Sequence, residues 1–550
     1  MSFKRFKDPI YGYIEIKNEI VEAVIDTPEF QRLRDIVQTS YEPLYSSTVH
    51  NRFVHSIGVY YLGTIASESI KADFQKSGLK VRGLDGYLKI FELACLLHDI
   101  GHAPFSHTGE DFYLNNGERD SLHEEIIKLT ADHKLKKEII GKNYKAAPHE
   151  LMSVIVALNR FQNLFSNNHE RSFFARCILG YPFSIQINKI NSFLNCLISV
   201  LNSSVIDVDK LDYLIRDAYM TGFDTVSLDY ERLLTQIRIV YDGKGLFKAV
   251  YGKGVISVIE NVVYAHDAER KWIQTHPVVQ YESFLIQTAM QMIKKKYKEV
   301  EIFSYKALST DGVELSDGYK VSLLSDADIR FLMKNLDDIC VIEYYDRRRR
   351  RHPLWKSESE YKAVFSRGFR ENDFVMVETG LEGVCKLCKS RVLDMEALEK
   401  CRDDIKKTEI LMKKYPHNKE KWSKNIESKK RCVRWLEALE RFAKDQGIAF
   451  DFVVLNTKQF NSGFTKSEFA KIEVLFDSLN KPCLFGDVTN VLKADSSDRE
   501  NYIYIYYRRN NTPNDVDVNK LAIELGRAAI NETSDNRKNE MESVFSQGAS

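Results

Sequence analysis

Leu96-Leu97-His98-Asp99-Ile100-Gly101-His102-Ala103-Pro104-Phe105-Ser106-His107 is the stretch that decides how this chain is read. The apolar run Phe91 to Leu97 before it suits a helix, and Gly-His-Ala-Pro after the His-Asp pair breaks it. A helix that delivers an imidazole and a carboxylate side by side, then stops, presents both to one ion, with further imidazoles beyond for proton transfer. Alone, either residue could cap a helix or satisfy a buried carbonyl. Two more stretches complete a donor set. Arg52-Phe53-Val54-His55-Ser56-Ile57-Gly58-Val59 puts an imidazole at the start of an apolar-periodic helix. Ile206-Asp207-Val208-Asp209-Lys210-Leu211-Asp212-Tyr213-Leu214-Ile215-Arg216-Asp217 turns carboxylates toward one side. His55, His98, Asp99 and Asp209 form a nitrogen and oxygen set for one divalent metal ion, with Fe, Mn, Zn, Ni, Co and Mg unresolved. Such a set leaves positions open for water and a phosphate oxygen. His102, His107, His123 and His149 are the candidate acids.

The order His…His-Asp…Asp resembles that of the HD-domain metal-dependent phosphohydrolases. Phe6-Lys7-Asp8-Pro9-Ile10-Tyr11-Gly12, Asp26-Thr27-Pro28-Glu29-Phe30-Gln31-Arg32-Leu33-Arg34, Gln38 and His50-Asn51-Arg52-Phe53-Val54-His55-Ser56 narrow the resemblance. They are similar to the deoxynucleoside triphosphate triphosphohydrolase branch, including its vertebrate SAM-and-HD-domain members. The match runs from about Lys4 to His276, without a SAM domain in this sequence.

The resemblance implies hydrolysis of dNTPs to deoxynucleoside and inorganic triphosphate, with a second Mg arriving on the nucleotide. It assigns catalytic or phosphate-facing roles to His102 and His107. For the family's His-Glu-x-x-Ser motif it leaves His149-Glu150-Leu151-Met152-Ser153, the preferred match, and His123-Glu124-Glu125, which lacks the serine. Arg52 and Lys210 match triphosphate contacts, Tyr213 and Asp217 the sugar, Gln38 the 3′-hydroxyl, and His276 the base side. Lys4, Asp26, Gln31 and Arg34 match a regulatory site for a GTP or dNTP activator. The same segment also reads as a structural turn, with Pro28 opening a helix capped by Asp26 or Thr27. Lys7 and Thr39 depart from the vertebrate pattern. A homo-oligomer is implied, because relatives build nucleotide sites between subunits.

At 550 residues the chain exceeds one ordinary core. Its 79 basic and 78 acidic residues nearly cancel, so no global field draws it to nucleic acid or membrane. The nine scattered cysteines suggest reduced thiols in a cytoplasmic protein, and no apolar run is long enough to span a membrane. Cys385-Lys-Leu-Cys388 has no second pair and reads as incidental spacing rather than a zinc site.

The fold expectation is mainly α. An all-helical HD core over 1–300 is followed by an α+β region over 301–530, and a disordered tail over 531–550. Helices are predicted over Ser56 to Lys71, Gly86 to Leu97, His149 to Phe161, Ile187 to Leu201 and Val255 to Lys295. Strands are predicted at Val300 to Tyr305, Ile339 to Tyr345, Phe374 to Glu378, Ala449 to Leu455 and Tyr502 to Tyr507, the last as core and edge. A helical hairpin over about 391–446 is inserted among them.

Arg347 to Arg351 suggests a polyanion contact, with nucleic acid among its candidate partners. Two alternatives to dNTP hydrolysis follow. One is an HD phosphohydrolase acting on another nucleotide or nucleic-acid phosphoester. The other is a nucleotide-sensing or nucleic-acid-binding protein.

Overall fold

The computed structural model describes residues 2–114, 118–142, 146–185, 187–224, 226–242, 244–365, 371–415, 417, 419–457, 466–476, 481–491, 502–509 and 516–530. The tail 531–550, expected to be disordered, lies outside them, as does the Asn115-Asn116-Gly117 turn. The chain divides into two compact units. The first comprises Met1–Ile273, Glu282–Val341 and Gly463–Ser496; the second comprises Gln274–Tyr281, Ile342–Ser462 and Ser497–Ser550.

The first unit is built around helices with legible ends. Arg52–Ser77 starts where the Asn51 side chain accepts from the Val54 amide, and stops at left-handed Gly78. Leu84–Leu97 buries Leu88, Phe91 and Cys95 at helical spacing and runs directly into the His98-Asp99 turn. Pro148–Arg160 has proline at its first position, and the Glu150 carboxylate accepts from the Ala147 amide at 2.6 Å. Val208–Thr221 is capped by Asp207, which accepts from the Lys210 amide, and ends at left-handed Gly222. The long stretch expected from Val255 to Lys295 is interrupted. Helix Ile256–Glu269 passes through a π-helical turn, Arg270–Gln274, and a new helix, Pro277–Lys296, begins on its proline.

Short strands accompany these helices. Phe3–Asp8 and Gly12–Lys17 form an antiparallel hairpin. A four-stranded sheet has the order Cys483–Leu484, Glu473–Leu475, Phe247–Gly252, Ile237–Tyr241.

In the second unit the sheet order is His352–Pro353, Ile503–Tyr507, Asp451–Asn456, Val392–Asp394, antiparallel throughout. The expected hairpin is Met395–Lys414 and Lys419–Gln446, inserted between the two adjacent strands Val392–Asp394 and Asp451–Asn456. Strand Ile503–Tyr507 pairs on both sides and is wholly buried, so it is interior rather than an edge.

Three predicted strands are not strands. Ile339–Tyr345 is a helix, started by the Asp338 carboxylate accepting from the Cys340 amide at 2.7 Å. Phe374 to Glu378 lies inside helix Glu371–Cys388, whose buried Val377, Leu381, Val384, Cys385 and Cys388 keep a helical spacing longer than the stretch read as strand. At 300–304, Ile302 and Phe303 are buried without a ladder partner, and a short helix, Tyr305–Leu308, follows. Among the described residues no helix is long and apolar enough to cross a membrane.

Candidate metal centre and histidine cluster

His55, His98 and Asp209 bring their ligand atoms within 4.8 Å of one another. His55 Nε2 lies 3.0 Å from Asp209 Oδ1 and 3.2 Å from His98 Nε2. Asp99 Oδ2 approaches the same two nitrogens at 3.5 and 3.4 Å. The other ring nitrogens are already occupied. His55 Nδ1 is 2.7 Å from Asp212 Oδ2, and His98 Nδ1 is 2.9 Å from the Cys95 carbonyl oxygen. Those acceptors hold the protons on Nδ1 and leave both Nε2 lone pairs facing the centre. Two imidazoles and two carboxylates without a thiolate fit a divalent ion of borderline or hard character.

The acceptor on His55 belongs to a buried chain. Arg216 clamps Asp212 through Nε and Nη2, both at 2.9 Å, and donates from Nη1 to Asp8 at 3.0 Å. Tyr11 donates its hydroxyl to Asp212 at 2.7 Å, and Asp8 accepts the Ile10 and Tyr11 amides at the hairpin turn. The Asp8-Pro-Ile-Tyr-Gly motif therefore buttresses His55 through Arg216, Tyr11 and Asp212. Gly58 is required by this packing, since a Cβ there would lie 2.0 Å from Asp212 Oδ1.

Beside the centre, His102, His107 and His149 form a second group. His102 and His149 stack at 4.3 Å between centroids, with His107 edge-on at 5.1 Å to each. Glu110 joins two of them, 2.6 Å from His149 Nδ1 and 3.4 Å from His107 Nδ1. Burial alone would lower His149, but the Glu110 carboxylate outweighs it and raises the pKa to about 9. Burial opposes ionisation of Glu110 too, yet His107 and His149 hold it below the usual carboxylate range. His102 is pushed the other way, well below its ordinary value, by burial and then by Arg52 and the neighbouring rings. It is neutral, fully buried, and neither nitrogen has a hydrogen-bond partner among the described residues.

His123 lies elsewhere, against Tyr181 at 3.3 Å. The His149-Glu150-x-x-Ser153 pattern has a local reason: Ser153 Oγ accepts the Gly101 amide at 2.9 Å, locking this helix to the His98-Asp99 turn.

Arg52 is buried and donates to Asp99 Oδ2 at 2.6 Å, Ser106 Oγ at 2.9 Å and the Gln38 carbonyl at 3.2 Å. Lys210 donates to Asp207 at 2.7 Å and to the Ser203 carbonyl at 2.9 Å. Asp217 pairs with buried His50 at 2.7 Å, and half-buried Tyr213 shares its helix. The side-chain oxygens of Gln38 and Thr39 are buried without partners among the described residues. His276 groups with the second unit, just before helix Pro277–Lys296, where burial lowers its pKa.

At the proposed regulatory segment, Lys4 pairs with Asp26 at 3.2 Å, and Gln31 accepts from Arg34 at 2.8 Å. The Arg34 guanidinium lies 3.5 Å over the Phe53 ring. Pro28 does open helix Pro28–Gln31, but neither expected cap operates: Thr27 Oγ1 donates to the Val24 carbonyl, and Asp26 faces Lys4.

Glu110, Asp212 and Arg216 carry this geometry and were not singled out from sequence. Glu110 follows His107 by one helical turn, and Arg216 follows Asp212 by four, the only local signals for them.

Of the five arginines, Arg347, Arg348 and Arg349 are exposed, whereas Arg351 is buried on Glu343 and Asp451. Cys385 and Cys388 are buried, and no cysteine joins a metal-type group among the described residues.

Residues 52–172 match the model of the HD domain family, so this part of the chain is an HD domain. The chain is 32% identical over 245 residues to the deoxynucleoside triphosphate triphosphohydrolase SAMHD1 of Xenopus laevis, which is 43% of this chain and 37% of that one. It is 29% identical over 295 residues to the SAMHD1 homolog of Dictyostelium discoideum, 52% of this chain and 49% of that one. The uncharacterized protein YwfO of Bacillus subtilis is 26% identical over 307 residues, 55% of this chain and 58% of that one. The chain thus spans about half the length of the curated relatives it matches. The crystal structure of a hypothetical protein from Aquifex aeolicus shares the fold, with a TM-score of 0.52 at 18% identity over 92% of this chain and 97% of that one.

Proposed function

We propose that this chain, which carries an HD domain and resembles the HD-domain deoxynucleoside triphosphate triphosphohydrolases, is a metal-dependent phosphohydrolase that cleaves dNTPs to deoxynucleoside and inorganic triphosphate. The observation that supports it best is the adjacency of two groups with different chemistry. A donor set of His55, His98 and Asp209, with Asp99 beside it, abuts a histidine cluster in which His149 is held by the Glu110 carboxylate while buried His102 stacks on it.

The metal, when bound, supplies Lewis acidity toward a phosphate oxygen and an acidified water. The protein's own residues do the rest. Water adds to the α-phosphorus and the bond to the 5′-oxygen breaks. Neutral His102 offers an N–H to a phosphoryl oxygen. His149, held by Glu110 through Nδ1, keeps a proton on Nε2 for the departing 5′-oxygen. His107 shares the Glu110 carboxylate and is half exposed, on the solvent side of the cluster. Arg52 and Lys210 set the phosphate side, while Tyr213, Asp217 and Gln38 set the sugar side. The buried oxygen of Gln38, without a partner among the described residues, suits a hydroxyl donor. Homo-oligomerisation and a GTP or dNTP activator at Lys4, Asp26, Gln31 and Arg34 belong to the same proposal.

The test is a product assay on the purified chain with each dNTP and Mn²⁺ or Mg²⁺, with and without GTP. Deoxynucleoside with inorganic triphosphate is the expected pair of products, and intact dNTPs under every condition would sink the substrate assignment. A second reading keeps the site and changes the substrate to another phosphoester. It is favoured by Arg52 and Lys210 already being engaged by Asp99 and Asp207. Release from monophosphates, cyclic nucleotides or nucleic-acid ends alone would select it.

A further inference from the structure

Asp326 lies far outside the HD-domain match, yet two loops of the candidate site hang on its carboxylate. It is the first residue of helix Asp326–Met333 and is 1% exposed. Its helix does not need it as a cap, because Asp328 accepts the Ser325 amide at 2.7 Å and the Ser325 hydroxyl at 2.8 Å. The Asp326 oxygens accept instead from the Val37 amide at 3.0 Å and the Phe105 amide at 2.6 Å. Val37 precedes Gln38, and Phe105 precedes Ser106 and His107.

The turn it holds is strained. Phe105 and Ser106 are consecutive non-glycine residues in the left-handed region, at φ 57° and 52°. Such a pair persists only where neighbours over-determine it. The neighbours are identifiable. Ser106 Oγ donates to the Val37 carbonyl and accepts from Arg52 Nε at 2.9 Å. Arg330, one turn beyond Asp326, lies 5.1 Å from the Phe105 ring centroid. Just upstream, the Leu324 carbonyl accepts from Arg32 at 2.9 Å, and Arg32 also donates to the Ile100 and His102 carbonyls at 2.8 and 3.0 Å. The segment 324–330 therefore holds the Phe105 end of the turn directly and the Ile100 end through Arg32. Burying this carboxylate is unfavourable in itself, since burial pushes its pKa up to about 6.

We infer that Asp326 is a positioning residue: its carboxylate ties the Gln38 loop to the Phe105–His107 turn, so that Arg52, Ser106 and His107 are held in register for turnover. The inference rests on the proposed phosphohydrolase reading. Asp326 touches no reacting atom, and it acts through the two amides it accepts.

The test uses the full chain loaded with Mn²⁺. In Asp326→Asn one of the two amides faces an N–H₂ group and loses its acceptor. The expected result is unchanged metal content and KM, a fall in kcat of about 100-fold, as for a misplacement on the order of 1 Å, and faster amide exchange over 36–38 and 103–107. Arg330→Ala, which removes the cation beside both the Phe105 ring and the Asp326 carboxylate but leaves the two amide bonds, should show a smaller fall in kcat with the same pattern. Should Asp326→Asn fail to fold, Arg330→Ala decides: unchanged kcat overturns the inference. Wild-type kcat in a folded Asp326→Asn also overturns it, as does exchange identical to wild type in both segments. If the wild-type chain cleaves no phosphoester, the functional reading falls. The exchange comparison then judges the brace by itself.

Discussion

The charge on His149 is controlled by one carboxylate, Glu110, at 2.6 Å. The Glu110 side of the pair, its pKa depressed, is lost as pH falls below the ordinary carboxylate range. Because the His149 pKa in the folded chain is raised from 6.5 to about 9, the His149 side contributes fully below about pH 6.5 and is lost as pH rises through about 9. A proton on Nε2 needed for the leaving oxygen disappears over the same window. Glu110→Gln should move the alkaline limb of the kcat/KM profile downward toward the ordinary histidine range, and an unmoved limb would show that His149 is not the group titrating. His149→Ala should retain metal and lose about 10²–10⁴-fold in kcat, whereas His123→Ala, altered beside Tyr181, should leave turnover near wild type. The opposite ranking would transfer the role to His123. On the metal side, Asp212→Asn replaces the carboxylate that sets the His55 tautomer with a neutral amide whose single oxygen cannot serve His55, Tyr11 and Arg216 together. Metal affinity should fall by about 10–100-fold, read by competition with a chelator. Sequence showed these histidines as candidates because histidines at short spacing are visible. It preferred His149 to His123 on the motif pattern alone, whereas which ring meets His102 is set by the tertiary structure.

Helices Leu84–Leu97 and Pro148–Arg160 meet through the turn at Gly101, whose amide donates to Ser153 Oγ. A Cβ at Gly101 would stand 2.2 Å from the Ser153 amide nitrogen and 2.3 Å from the Met152 carbonyl carbon. These are backbone atoms, which cannot rotate away, so Gly101→Ala must separate the helix from the turn. The expected cost is about 1–3 kcal/mol, seen as a lower Tm together with weakened metal retention. A Tm equal to wild type would mean that the helices are not in contact here. At this scale periodicity served well where a helix has one buried stripe, as in Leu84–Leu97. It failed where β-branched and aromatic residues cluster, as in Ile339–Tyr345, because the Asp338 cap and packing override strand propensity.

For the molecule as a whole, the arginine run separates two roles that look identical in sequence. Arg351 and Arg508 both bind Glu343 and Asp451, and the Arg351 and Glu343 side chains are 2% and 0% exposed. Removing Arg351 leaves buried Glu343 with only Tyr281 and the partly exposed Arg508 as side-chain partners among the described residues. Arg351→Ala should therefore cost up to about 3–5 kcal/mol, read as a fall in the denaturant midpoint. Substitution of Arg347, Arg348 and Arg349 with alanine should change stability by no more than about 0.5 kcal/mol each. If nucleic acid is a partner, its salt-dependent affinity should fall in those three variants. Stability loss in the exposed three with none in Arg351→Ala would contradict this division.

The one-dimensional chain was enough to name candidate donors of which His55, His98 and Asp209 lie together, the helical class of the region that holds them, and the inserted hairpin of the second unit. Each rests on local chemistry: ligand types at helix ends, breakers at fixed offsets, and apolar spacing along a single element. Three things were decided only by the tertiary structure. Asp212 became the orienting partner of His55 because Arg216, Asp8 and Tyr11 converge on it. Glu110 became the partner of His149 because a turn and a distant helix meet there. Asp326 took hold of Val37 and Phe105 across hundreds of residues. Such pairings form when non-local elements bury polar groups together. A buried carboxylate or guanidinium must find partners wherever packing brings them, and no spacing along the chain encodes which ones.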